Sequence, residues 1–181
     1  MRALLVLSAV CFLFAGFVGC SKEEKVSALD SELVMRCGEA GTTSKDVEML
    51  LDKGANVNAQ MYEGSTALHM ACSTLNEDVV RTLILRGANV NVADGQGNSP
   101  LHETARYGDG VLKEQQGIVS AITESLIENR ANVNAKNNQG ITPLGLVRYN
   151  KALASLLKSH GATETKRNYP KQPARKTAGR P

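Results

Sequence analysis

Three histidines and four cysteines, with 18 carboxylates, are the groups in this chain with reactive chemistry to offer. His69 and His102 end two similar hexapeptides, Gly64-Ser65-Thr66-Ala67-Leu68-His69 and Gly97-Asn98-Ser99-Pro100-Leu101-His102. An imidazole can act as a general base, a metal ligand or a structural donor and acceptor at once. As a base it needs a nucleophile and an orienting group nearby, and no such constellation is present. As a zinc ligand it needs a second His or Cys at a short spacing, and no Cys/His pair has one. Gly108-Asp109-Gly110 lacks the alternating acids of a calcium loop. Gly95-Gln96-Gly97 is a lone G-x-G on a turn, with no phosphate motif after it. No catalytic residue, cofactor or metal is expected, and the chain is read as not an enzyme.

The elements that carry these residues recur. A third hexapeptide, Gly140-Ile141-Thr142-Pro143-Leu144-Gly145, has glycine where the others have histidine. A second motif appears as Gly54-Ala55-Asn56-Val57-Asn58-Ala59, as Gly87-Ala88-Asn89-Val90-Asn91-Val92 and as Arg130-Ala131-Asn132-Val133-Asn134-Ala135, with a truncated copy at Gly161-Ala162-Thr163. Gly54 and Gly87 lie 33 residues apart, as do Gly64 and Gly97. Two motifs in fixed phase resemble the ankyrin-repeat family, whose repeat has that period and a Gly-x-Thr-Pro-Leu-His signature. The resemblance covers about 30–163 and implies an all-α fold, an ankyrin-repeat solenoid of about four helix-turn-helix repeats joined by short β-hairpin fingers. It also implies that His69 and His102 are structural groups tying turn to helix.

The chemistry of the repeated residues agrees. Thr66, Ser99 and Thr142 are placed to cap the first helix of each pair, their hydroxyls accepting an otherwise unpaired backbone N–H. Pro100 and Pro143 follow at the first helical position, where a missing N–H costs nothing. Leu68, Leu101 and Leu144 are expected to point into the stack. Apolar stripes mark the second helices: Met49, Leu50 and Leu51, then Val79, Val80, Leu83 and Ile84, then Ile122, Leu126 and Ile127. Gly54 and Gly87 suit the left-handed residue that ends a helix, and Arg130 at that place predicts strain. Cys37 and Cys72 fall on first helices of adjacent repeats. A packing distance of about 8–10 Å exceeds the roughly 7 Å a disulfide allows, so two separately buried thiols are expected.

Repeat one lacks the hexapeptide and reads as an N-terminal cap, with Lys45, Asp46, Glu48 and Asp52 on a solvated face. Repeat four is shortened and reads as the C-terminal cap. Repeat three is ten residues longer than the period, and the extra residues fall near 109–117 as a loop between its helices. His160 lies at the last helix end, exposed or capping.

The flanks have a different character. After Met1-Arg2, an apolar run from Ala3 to Val18 ends in Phe17-Val18-Gly19-Cys20. This resembles a bacterial lipoprotein signal, and implies a signal peptide over 1–19, lipidation at Cys20 and a linker over 20–29. Several acyl chains on one N-terminus anchor stably where one would not. Ser21 after the cysteine points to the outer membrane of a two-membrane cell. Thr163–Pro181 holds six bases and one acid, and 164–181 is expected to be a disordered basic tail. With that stretch and Arg2 set aside, 14 bases face 17 acids, which argues against nucleic acid as a partner.

The family resemblance places partner contacts on the fingers and first helices. By position these are Met61, Tyr62 and Glu63, then Asp94 and Gln96, then Asn137 and Asn138, with Met70, Ser73, Glu103, Arg106 and Tyr107 on the helices. The function expected is a lipid-anchored envelope module that binds a protein as adaptor or inhibitor, in monomeric form. An immunity factor neutralising a toxin or envelope enzyme is one alternative, and a host-directed effector another.

Overall fold

A computed structural model describes residues 27–164, apart from the side chain of Tyr62. The expected signal peptide, with Cys20 and the expected linker up to residue 26, lies outside the described residues, as does the expected tail beyond Glu164. Eight α-helices follow one another: α1 (Ala28–Cys37), α2 (Ser44–Asp52), α3 (Ala67–Ser73), α4 (Glu77–Leu85), α5 (Pro100–Gly108), α6 (Gln116–Glu128), α7 (Pro143–Leu146) and α8 (Lys151–Ser159). They stack as four antiparallel pairs. The first helices α1, α3, α5 and α7 touch in one row, and α2, α4, α6 and α8 touch in a second.

Side chains mark the start of every helix but α6. Ser27 with Asp30 and Thr43 with Asp46 form reciprocal capping boxes on α1 and α2. Asn76 and Asn150 cap α4 and α8 with their side-chain oxygens. At Thr66 and Ser99 the box is closed by histidine: the backbone N–H of each donates to Nδ1 of His69 or His102, at 3.2 and 3.1 Å. At both caps the hydroxyl also lies 2.9 Å from that ring nitrogen. Three second helices end on a left-handed glycine, Gly54, Gly87 or Gly161, and α6 ends on Arg130 at φ +68°. The strain expected of a side chain there is present.

One apolar core runs the length of the stack. Leu33, Leu68, Leu101 and Leu144 form its first-helix row and Val47, Leu83, Leu126 and Leu157 its second, all buried. Met49 does not join it. In α2 the buried stripe is Val47, Leu50 and Leu51, spaced i, i+3 and i+4, which turns Met49 outward to 54% exposure. Cys37 and Cys72 are both buried and free, and burial pushes each thiol up to about 12. Both are inert packing groups, as a buried uncharged thiol should be.

Asparagines tie each repeat to the next. The side chain of Asn58 donates to the Gly87 carbonyl and accepts from Asn89 N–H; Asn91 does the same with Arg130 and Asn132, and Asn134 with Gly161 and Thr163. At the N-terminal end Asp30 takes the role, its Oδ1 accepting from Asn56 N–H at 2.6 Å. That bond leads the causes that hold the Asp30 carboxyl below its ordinary range.

The fingers depart from expectation, since no strand is formed among the described residues. Each finger is a five-residue turn closed by one backbone pair: Met61 N–H to the Ser65 carbonyl, Asp94 to Asn98, and Asn137 to Ile141. The chain enters the next helix two residues later, so no length remains for a ladder. The insertion in repeat three also differs from a plain loop. Its second half forms a 3₁₀ turn, Lys113–Gln115, that runs into a lengthened α6.

Candidate protein-binding surface

The turns that make the fingers hold themselves rigid and hold one another. In the second, Asp94 Oδ1 accepts from the N–H groups of Gln96 and Asn98 at 2.9 and 2.8 Å, and Oδ2 accepts from Asn98 Nδ2. In the third, Asn137 plays the same part for Gln139 and Ile141, each at 3.0 Å. Backbone bonds then join the tips: Gly95 N–H donates to the Glu63 carbonyl and Asn138 N–H to the Gln96 carbonyl. Asn138 Nδ2 adds a bond to the Gly95 carbonyl at 3.0 Å. So close an approach demands glycine. A Cβ on Gly97, at φ +78°, would sit 2.6 Å from Asn138 Oδ1 and 2.7 Å from its nitrogen. The G-x-G set aside as a phosphate motif is therefore the packing contact between fingers.

Histidine carries the tie inward. Because Nδ1 of His69 and His102 accepts a backbone N–H, each ring is neutral with its proton on Nε2. Nε2 then donates across the repeat boundary, His69 to the Asn98 carbonyl and His102 to the Ile141 carbonyl, both at 3.0 Å. Burial is the main cause lowering both imidazole pKa values, and it disfavours protonation. The expected structural role is thereby extended, because each histidine also locks its repeat to the next finger. His160 is exposed, with Nδ1 3.0 Å from the Leu156 carbonyl.

On this frame the twelve residues expected to contact a partner separate into two groups. Glu63, Gln96, Asn138, Arg106 and Tyr107 are exposed. Glu63, Gln96 and Gln139 occupy the same tip position in three successive fingers and form an exposed row. Gln139 escaped the sequence reading, although aligning the three turns on Gly64, Gly97 and Gly140 finds it. Tyr62 lies in the first finger. The others are partly or wholly committed to the frame. Asn137, at 8% exposure, is held by its turn and donates to Asn98 Oδ1. Asp94 closes its own turn, and Met61 and Met70 pack against the core edge. Ser73 spends its hydroxyl on the Met70 carbonyl. Glu103 is a correction as well: it is buried to 7%, not open to the groove, and burial raises its carboxyl above the ordinary range against the pull of Arg106.

Arg106 on α5, the glycine and glutamine of the second tip, and the third tip enclose a cleft of about 230 Å³. The first-helix row and the fingers therefore share one face. A shallower groove of about 390 Å³ lies on the other row, between α4 and α6, where Leu85 stands 85% exposed.

Comparison with known proteins agrees with this architecture. A model of ankyrin repeats in three copies matches residues 34–114, and a model of the ankyrin repeat matches 96–138. The chain is 34% identical over 67 residues to the transient receptor potential cation channel subfamily A member 1 of Drosophila melanogaster, covering 36% of this chain and 6% of that protein. It is 58% identical over 38 residues to the B-cell lymphoma 3 protein homolog of Mus musculus, covering 21% of this chain and 8% of that one. The chain thus spans less than a tenth of either relative's length, and what it shares with each is a short stretch.

Proposed function

The chain belongs to the ankyrin-repeat family, whose matches span residues 34–138 and whose members are typically non-catalytic protein-binding modules, and on that premise we propose that it is a lipid-anchored envelope protein that binds another protein as adaptor or inhibitor. The observation that carries this reading is the exposed row Glu63, Gln96 and Gln139. Its members, one glutamate and two glutamines, are polar and open to solvent, and they stand on a backbone held by identical bonds. A repeating frame that presents a continuous row of uncommitted polar side chains suits recognition of a partner.

The tether rests on the sequence motif ending at Cys20. From Ser21 to Ser27 an extended chain reaches about 20–25 Å, so repeats beginning at Ala28 would lie close to the membrane that holds the lipid. In-cell crosslinking followed by mass spectrometry tests both parts. One dominant envelope partner is expected, lost on combined substitution of Gln96, Arg106 and Gln139, with Cys20→Ala releasing the protein from the membrane fraction. A fully membrane-bound Cys20→Ala protein would remove the anchor, and adducts indifferent to the three substitutions would remove the binding surface.

A further inference from the structure

The cleft beside Arg106 has a one-sided chemistry. It is lined by Gly95, Gln96, Arg106, Asn137, Asn138 and Gln139, with no carboxylate among them. Asn137 has its oxygen held by its turn and its amide nitrogen bonded to Asn98, and Asn138 donates to the Gly95 carbonyl. The side chains of the lining with no hydrogen bond to the frame are the Arg106 guanidinium and the amides of Gln96 and Gln139. Arg106 makes one ion pair among the described residues, to Glu103 Oε1 at 3.7 Å, beyond hydrogen-bond reach. That pair fixes where the guanidinium lies without consuming its N–H donors. Its side chain keeps 40% of its surface in solvent, while that of Glu103 keeps 10%.

The nearby acids do not compete for the space. Asp94 has spent its carboxylate on three N–H groups of its own turn, and Glu103 is buried and absent from the lining. The volume of about 230 Å³ matches some seven or eight waters at roughly 30 Å³ each, room for one short side chain and its residual water. A planar fork of unspent donors flanked by two amides is matched by a planar anion with paired acceptors.

Resting on the reading of this face as a partner-binding surface, we propose that the cleft between the second and third fingers is a recognition pocket for a carboxylate side chain, Asp or Glu, of the protein partner, with Arg106 as its anchor and Gln96 and Gln139 as flanking donors. Glu103 is then a positioning residue that holds Arg106 from behind. The partner's contact segment carries an acidic residue, and specificity follows from the donors being otherwise unspent.

The test is an NMR titration of the isotope-labelled full chain in detergent micelles with three capped tripeptides, Gly-Glu-Gly, Gly-Gln-Gly and Gly-Lys-Gly. The glutamyl peptide is expected to shift the Arg106 Nε–H signal and the side-chain amide signals of Gln96 and Gln139, saturably, while the other two leave them in place. Arg106→Gln should weaken the glutamyl peptide about tenfold, the loss of a charge-assisted bond, with the rest of the amide spectrum unchanged. Gln139→Ala gives a second variant and a smaller loss. Equal shifts from the glutamine peptide, shifts from the lysine peptide alone, or an Arg106→Gln protein that binds as before would each overturn the pocket. If crosslinking captures a partner on this face and the glutamyl peptide still produces no shift, the carboxylate assignment falls and the binding surface stands.

Discussion

The finger end of the stack and the opposite, loop end are built on different plans. At the finger end the same ties recur: an asparagine or aspartate across each boundary, backbone bonds between successive tips, and a histidine in repeats two and three that reaches the next finger. At the loop end the junctions are less uniform, sharing at two places a capping asparagine that reaches back to the preceding repeat. Asn76 Nδ2 reaches the Thr42 carbonyl between repeats one and two. Between repeats three and four, Asp109 Oδ1 accepts from the N–H groups of Arg148, Tyr149 and Asn150 at 2.7, 2.7 and 3.0 Å, and Asn150 Nδ2 returns to the Gly108 carbonyl. In repeat three the insertion puts Gln115, which makes no side-chain cap bond, before α6. The finger end is thus a fixed frame that tolerates variety only at exposed tip positions. The loop end tolerates insertion because each clasp is local.

The sharpest break of that contrast uses two glycines. Gly97→Ala is expected to cost about 2–4 kcal/mol, combining a left-handed φ with a clash into Asn138. Gly110→Ala at the loop end meets nothing within 4 Å and should stay within about 1 kcal/mol of the parent, read by urea unfolding of both. Equal losses would mean the two ends are equally rigid. Asp109→Ala comes next, at about 1–2 kcal/mol, the cost of losing a capping acid. Hydrogen exchange should show the loss concentrated in α7 and α8 and little changed at the fingers.

A change of pH reaches the finger end without substitution. His69 and His102 have folded pKa values below 6.5, so the unfolded chain binds more protons as the medium becomes acidic. Their contribution is complete above about pH 6.5 and declines as pH falls below it. Glu103 acts in the opposite sense, its raised pKa giving stability at low pH that is lost as pH rises from 4.5 through the folded value. The urea midpoint should fall between pH 7 and 5, and fall more steeply in Glu103→Gln. A flat profile in that variant would show the imidazoles do not hold the frame. Asp30 and Asp46, with lowered pKa values, lose their contributions only below about 3.8 and leave this window clear.

Arg130→Gly relieves the one left-handed arginine at a helix end and should stabilise by about 0.5–1 kcal/mol, seen as a raised thermal midpoint. Smallest of all, Gln96→Ala and Gln139→Ala should each change stability by less than about 0.5 kcal/mol. A larger loss at either would move the exposed row into the frame and out of the binding surface.

How much of this was legible in the sequence depended on whether a residue acts through repetition. The hexapeptide and asparagine motifs announce themselves because each satisfies the same backbone groups in every repeat. The buried leucines follow from them, and Arg130 was legible as a departure from glycine. Met49 was misread because three adjacent apolar residues do not say which pair faces inward; the period of α2 decides for Leu50 and Leu51, with Val47. Glu103 and Asn137 were misassigned for a related reason, since position on a face does not disclose burial. The fingers were expected as hairpins, yet five residues closed by one pair leave no ladder. Asp109 escaped altogether, as its three partners lie some 40 residues away and belong to no motif.

The measurement that bears most directly on the central claim is photo-crosslinking in cells from two single positions, Gln96 at a fingertip and Leu85 on the outer groove between α4 and α6. A specific protein adduct from Gln96, with none from Leu85, is the predicted result. An adduct from Leu85 with none from Gln96 would contradict the account and place recognition on the outer helices.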